Sequence, residues 1–278
     1  MFRTSNPTLK NPYFSGTAAQ SWADLGMHQA GEAAIRTASK THMTMQGTVN
    51  KTAFLLALCA ASAVGSWILI QANSALYLPL VFGGAILGLI LVLVGSFKPA
   101  ASPVVAPLYA IAQGGFVGGV SLMFASIAGK PGPDGTTTLN TGLIFNAALL
   151  TFGILGGLLA AYSFRLIRPN KTFYNVVIVG TVGAALYAVI AMVASMFGAP
   201  TLASVYDPNN GGLISVGFSV LLVVLASANL VLDFDQIENG VRNQAPRHME
   251  WFGGMSLLVT LVWLYIEVLR LLAKLRRE

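Results

Sequence analysis

A chain of 278 residues with 55% hydrophobic and only 9% charged residues has too few charges to cover a water-facing surface, since soluble domains carry about a quarter. Its net charge of +6 comes from basic residues at the ends of apolar runs, with no dense Lys/Arg cluster interleaved with aromatics, which excludes nucleic acid as a partner. The single cysteine, Cys59, excludes an internal disulfide and a cysteine-based metal site.

Residues 1–48 are polar and rich in Ser, Thr, Ala, Asn and Gln. The stretch 21–40 has the makings of a short helix carrying Trp22, Leu25, Met27 and Ile35, but its apolar face is thin. The segment therefore reads as mostly disordered or interface-lying. No cleavable signal is expected, because the first apolar run starts after about fifty polar residues, too late for one.

The remainder, 49–278, reads as one transmembrane domain. The runs 52–70, 76–97, 102–128, 142–164, 173–198 and 211–232 contain no Asp, Glu, Lys or Arg, and a seventh, 251–269, contains only Glu267. Each is long enough to cross a hydrocarbon core of about 30 Å at about 1.5 Å per residue. Strands of a membrane barrel would alternate polar and apolar residues, and these runs are apolar on every face. The expected fold is an all-α polytopic membrane protein, a bundle of seven transmembrane helices. The loops expected between the runs are 71–75, 98–101, 129–141, 165–172, 199–210 and 233–250. Turn formers fill the third (Lys130 to Thr141) and the fifth.

Charge asymmetry sets the orientation. Arg36, Lys40, Lys51, Lys98, Arg165, Arg168, Lys171, Arg242 and Arg247 fall on the N-terminal side, against Lys130 alone on the other. The N-terminus is thus expected in the cytoplasm and the chain in the inner (plasma) membrane, with 129–141 outside. The tail breaks the pattern, for seven spans place Arg270, Lys274, Arg276 and Arg277 outside. Two readings stand: the tail snorkels to the far interface, or one of the last two apolar segments is re-entrant. Since 251–269 is long enough to cross, seven spans are preferred.

Gly84-x-x-x-Gly88, Gly114-x-x-x-Gly118, Gly115-x-x-x-Gly119 and Gly153-x-x-x-Gly157 put glycines on single helix faces. Such faces allow close helix approach, and packing within the molecule is favoured over a dimer interface or a pore lining. The chain lacks a Gly-Lys-Ser/Thr phosphate loop, His-Glu-x-x-His and Gly-x-Ser-x-Gly, so no enzyme is expected. His28, His42 and His248 lie outside the apolar runs without metal-ligand spacing.

Ionisable groups at membrane depth are the informative signal, because burying them is costly. Asp233 and Asp235, two residues apart, point to nearly opposite helix faces, and Glu238 sits beside Asp235. Asp235 and Glu238 read more readily as a solvated helix end than as functional groups. Glu267 lies deep in its run, and an intrahelical pair with Arg270 at i+3 stands as the alternative to a functional role. Among the neutral polar residues inside spans (Gln113, Asn146 and Asn229), hydrogen bonds between helices are favoured over a cavity lining. Asn229 lies four residues before Asp233, on the same face.

At these residues the chain resembles the Bax inhibitor-1 family, in particular its bacterial YccA-like branch. Leu232-Asp233-Phe234-Asp235-Gln236-Ile237 is similar to the Tyr-Asp-Thr-Gln-x-Ile-like end of that family's sixth helix. Leu264-Tyr265-Ile266-Glu267-Val268-Leu269-Arg270-Leu271-Leu272 is similar to its Leu-Tyr-Leu-Asp-x-x-Asn-Leu-Phe motif, with Glu in place of Asp. Pro103, Tyr109, Gln113 and Gly114 resemble the start of its third helix, and Met45 to Thr52 the lead-in to span one. The resemblance covers about 45–278. It implies a seven-helix bundle with the last helix central, and a carboxylate pair, Asp233 and Glu267, that senses pH and gates a calcium leak. Asp235, Asn229, Arg270 and Gln113 are expected to support that pair.

No cofactor is expected; calcium enters as the transported ion, with Asp233 and Glu267 as its candidate ligands. The expected partners are the lipid bilayer and calcium or protons. The alternative reading is a non-transporting interaction protein that regulates a membrane protease or a stress response. A small-molecule transporter is disfavoured, because no inverted repeat is evident. Asp233 and Glu267 are 34 residues apart, so a hairpin must turn near residue 250 to bring them to one depth. A turn at 240–247 would set Glu267 deeper by about ten residues, or about 15 Å at helical rise.

Overall fold

A computed structural model describes residues 41–131, 137–197 and 203–276; the helix expected over 21–40, and the reading of the N-terminal segment as disordered, fall outside these. The described chain forms α1 (Met45–Ala72), α2 (Tyr77–Phe97), α3 (Ser102–Ile127), α4 (Thr141–Ser163), α5 (Lys171–Met196), α6 (Leu213–Arg242) and α7 (Met249–Leu275). All seven are long and apolar enough to cross a membrane. The fold is thus an all-α polytopic membrane bundle, with one hairpin of two-residue strands pairing Lys130–Pro131 with Thr137–Thr138. Polar caps fix where three helices begin: Thr44, Asn140 and Asn170 accept from the backbone N–H groups of Gly47, Leu143 and Phe173, satisfying donors that the first turn leaves free.

Helix α6 runs ten residues beyond the expected end of its apolar run. Residues 233–242 stay helical because Asn239 donates to Asp235 (2.9 Å) and Arg242 pairs with Glu238, each one turn apart. Leu230, Phe234 and Ile237 also continue a buried stripe through this segment. The connector is therefore only 243–248, with Gln244 in the left-handed region at φ 51°.

Helix α7 packs against α1, α3, α4 and α6. Of its most apolar window 56% is buried, against 11% for the windows of the second and fifth spans, so the last helix is the central one. Helix α3 fits between α1 and α2 because its glycines leave room. A Cβ on Gly118 would collide with the Ser66 hydroxyl and the Ala63 carbonyl, and one on Gly119 with Val81. From α2, a Cβ on Gly84 would lie 2.6 Å from the Ala112 carbonyl oxygen. The α4 motif differs, since nothing lies within 4 Å of a Cβ at Gly153 or Gly157. Packing within this chain accounts for the α2 and α3 glycines and not for those of α4.

Successive spans alternate in direction, so the starts of α1 and α7 meet at what is termed the near end. There the backbone N–H of Met43 donates to the Ala245 carbonyl (2.7 Å) and that of Arg247 to the Thr41 carbonyl (3.1 Å). Glu250, 2% exposed, accepts from the Thr44 N–H (2.9 Å) and hydroxyl (2.8 Å) and pairs with Lys51. Gly47 leaves room for it: a Cβ there would strike the Glu250 carboxylate, which would have to shift away from Thr44 and Lys51.

Candidate functional site

The turn at 243–248 sets which residues of α6 and α7 face each other. Asp233, ten residues before it, comes opposite the stretch about ten residues after it. The Ser256 and Thr260 hydroxyls, one turn apart on α7, donate to the two Asp233 carboxylate oxygens at 2.7 and 2.6 Å. Asp233 is buried, and no salt bridge reaches it among the described residues. Hydrogen bonds to a charged acceptor contribute about 1.5–3 kcal/mol each, so the two hydroxyls offset much of the cost of burial.

Asp235 points toward other neighbours. Tyr174 of α5 donates to it at 2.5 Å and Tyr162 of α4 at 3.3 Å. Tyr162 also donates to Glu238. The near end of α6 is thus tied to α4 and α5 through phenol–carboxylate bonds, and to α7 through hydroxyl–carboxylate bonds.

Glu267 lies seven residues beyond Thr260, about 10 Å along the helix. It is 4% exposed, accepts from the Trp263 indole (3.3 Å) and pairs with Arg270 at 2.5 Å. The Arg270 guanidinium stacks 4.9 Å from the centre of the Tyr206 ring. Burial, then the nearby Glu267 carboxylate, raises the Tyr206 phenol above its ordinary pKa, with Arg270 opposing, so the ring stays neutral across the physiological range. A cavity of about 530 Å³ opens here, lined by Thr181, Ala184, Tyr206, Trp263, Glu267 and Arg270 among others. A larger, apolar groove of about 820 Å³ lies between α1, α3, α4 and α7.

At the far end the Lys274 ammonium, fully buried, donates to the Val205 carbonyl (2.6 Å), the Ser215 carbonyl (3.0 Å) and the Ser219 hydroxyl (2.8 Å). Of the tail cations, Arg270 and Lys274 are consumed inside the fold and do not snorkel outward.

Asp233 and Glu267, expected as one gate, are held by separate partners. The hairpin turns at 243–248 and not near 250, which leaves Glu267 two turns past the residues that meet Asp233. Asn229 does not reach Asp233; its amide donates to the Thr181 hydroxyl (2.8 Å) and the Leu225 carbonyl (2.9 Å). Gln113 packs elsewhere, its side-chain oxygen 2.6 Å from where a Gly88 Cβ would lie. Arg270 serves Glu267, and Asp235 serves the tyrosines. Among the described residues no three His, Cys, Asp or Glu side chains converge. The Asp233 carboxylate and its two hydroxyls offer fewer oxygens than the six to eight calcium takes, so they do not by themselves make a complete calcium site.

Sequence reasoning missed Ser256, Thr260, Tyr162, Tyr174, Glu250 and the inward turn of Lys274. One signal was present: Ser256, Thr260, Trp263, Glu267, Arg270 and Lys274 follow each other at spacings of four and three, which defines a single helix face. That face is the polar seam of the bundle.

Comparison with curated protein sequences finds no match. The model of a family described as Bax inhibitor 1 like matches residues 11–277, taking in most of the polar N-terminal segment as well as the seven spans. A match over nearly the whole length, on a seven-span bundle with a central last helix, places this chain in the Bax inhibitor 1 like family.

Proposed function

We propose that the protein is not an enzyme but a pH-sensitive calcium leak in the plasma membrane, N-terminus in the cytoplasm, with Asp233 as its titrating group. The observation that supports this reading most is the setting of Asp233, a buried carboxyl held between two spans by two hydroxyls, with no cation paired to it among the described residues. A hydroxyl can both donate and accept. The Asp233 site therefore keeps its hydrogen bonds in either protonation state, and gaining or losing a proton there leaves no cation orphaned. Ionised, Asp233 gives a hard cation an anionic oxygen site; protonated, it does not. Glu267 is already paired with Arg270 within α7.

Calcium flux into proteoliposomes should rise with pH through the titration of Asp233, and Asp233→Asn should make it nearly independent of pH. Flat wild-type flux from about pH 5 to about pH 8, in vesicles shown to be intact, would sink this reading.

A second reading, a regulator that binds a membrane protease or another partner without transporting, has its own support. Residues 41–44 are laced to the connector and to Glu250, so whatever binds the preceding segment pulls on the α6–α7 hairpin. Deleting 1–40 separates the two: a leak keeps its flux, and a regulator loses its partner.

A further inference from the structure

The apolar groove of about 820 Å³ lies on the other side of α7 from the polar seam. Helix α7 turns Leu258, Leu261, Val262 and Tyr265 toward it, a stripe at helical spacing opposite Ser256, Thr260 and Glu267. Helix α1 packs mainly on α3 and α7, and α4 on α6 and α7, so the groove opens sideways between α1 and α4. Val64, Phe145 and Phe152 line its mouth and are 62%, 65% and 55% exposed. The groove is thus continuous with the surface that the spans turn to the bilayer.

The walls and the length of the groove select its occupant. Among the described residues none that lines it is charged. The Ser121 and Tyr265 hydroxyls bond each other (2.8 Å), and the Thr151 hydroxyl donates to the Ala147 carbonyl (2.8 Å), so these groups ask for no polar ligand. The lining runs from Leu56 to Trp67 along α1, and from Thr141 to Phe152 along the antiparallel α4. Either stretch is about 16 Å long at helical rise, which matches one leaflet, half of a hydrocarbon core of about 30 Å. Trp67 and the start of α4 set one end of the groove near the far interface, a depth that Trp favours. The other end stops in the middle of the bilayer.

We propose that this groove is a binding site for one acyl chain of a phospholipid in the far leaflet, with its glycerol end beside Trp67 and Thr141 and its methyl end beside Leu56 and Phe152. Lipid tails are as apolar as the side chains of the groove, and a chain seated there supplies dispersion contacts that an empty gap forfeits. It lies against the back of the helix that carries the seam.

The test uses the full-length protein in phosphatidylcholine liposomes doped with a phosphatidylcholine whose acyl chain carries a diazirine, near the glycerol in one preparation and near the methyl end in another. After irradiation, peptide mass spectrometry should find adducts on the groove floor (Val117, Leu261, Val262 and Tyr265) as well as on the outward faces of α2 and α5. The glycerol-end probe should favour Trp67 and Thr141, and the methyl-end probe Leu56 and Phe152. Ala148→Phe, which fills the groove from α4, should cut the floor adducts severalfold and leave those on α2 and α5 unchanged. Ala60→Phe fills it from α1 and stands in if the first variant does not fold; the wild-type pattern decides if neither folds. Adducts on α2 and α5 with none on the floor overturn the site, as do floor adducts that neither filling lowers. A reversed or absent depth gradient overturns the far-leaflet assignment. A lipid-free floor in a protein that cross-links to a second copy through α1 and α4 gives the groove to that copy and overturns the proposal.

Discussion

The two ends of the α6–α7 seam carry the same chemical group in opposite company. Asp233 and Glu267 are buried to a similar degree, 8% and 4% exposed. Asp233 is held by two hydroxyls, and Glu267 by a guanidinium and an indole. A carboxylate locked to a cation cannot change its charge without stranding that cation, whereas one held by hydroxyls can. Depth in the membrane alone therefore does not distinguish the two carboxyls; their hydrogen-bond and charge partners do.

The comparison breaks most readily at Glu267. Glu267→Gln leaves the half-buried Arg270 without its carboxylate, and breaking a fully buried pair from one side costs about 3–5 kcal/mol, an upper bound here. A large fall in detergent melting temperature and in yield is expected, with partial recovery in the double variant Glu267→Gln/Arg270→Gln. If Glu267→Gln melts like wild type, the far carboxylate is not structural and the contrast collapses.

The glycine contacts give a smaller effect that separates tight packing from the seam itself. Gly118→Ala forces a methyl into Ser66 and the Ala63 carbonyl, at about 1–3 kcal/mol for overpacking. Gly157→Ala meets nothing within 4 Å and should be close to neutral. Equal melting temperatures for these two variants would contradict the close approach of α3 to α1.

Asp233→Asn sharpens the comparison from the other side. The amide keeps the shape and can still accept from one hydroxyl, so the stability loss should be about 1 kcal/mol, near the net value of one hydrogen bond. Its main effect should fall on the pH profile of calcium flux. A loss as large as that of Glu267→Gln would mean that Asp233, too, is chiefly structural.

The smallest change is expected at Arg242→Gln. The Glu238–Arg242 pair lies on the outside of α6, with Arg242 63% and Glu238 30% exposed, and exposed helix pairs contribute about 0.3–0.5 kcal/mol. A shift beyond that, read by melting in low and high salt, would show that the near end of α6 depends on more than the tyrosine bonds.

The sequence by itself determined the seven spans. Apolar runs free of charge have no other fate in a chain this poor in charged residues, because the backbone must satisfy its own hydrogen bonds in lipid. The motif around Glu267, with the loose match around Asp233, also sufficed for the family. The i+3 spacing of Glu267 and Arg270 made their pairing legible as one of two readings.

Tertiary structure alone decided which groups meet. Asp233 finds Ser256 and Thr260, and misses Glu267, because α6 continues to Arg242 and the connector is six residues long. A shift of a few residues in that turn would change every facing pair along the hairpin, and periodicity does not reveal where a helix ends when its last turns are polar. The inward turn of Lys274 was equally invisible. Its acceptors are two backbone carbonyls and a serine 55 residues away, and carbonyls leave no mark in a sequence. Local chemistry fixed where the helices run, and the length of one connector fixed which carboxyl meets a cation and which meets hydroxyls.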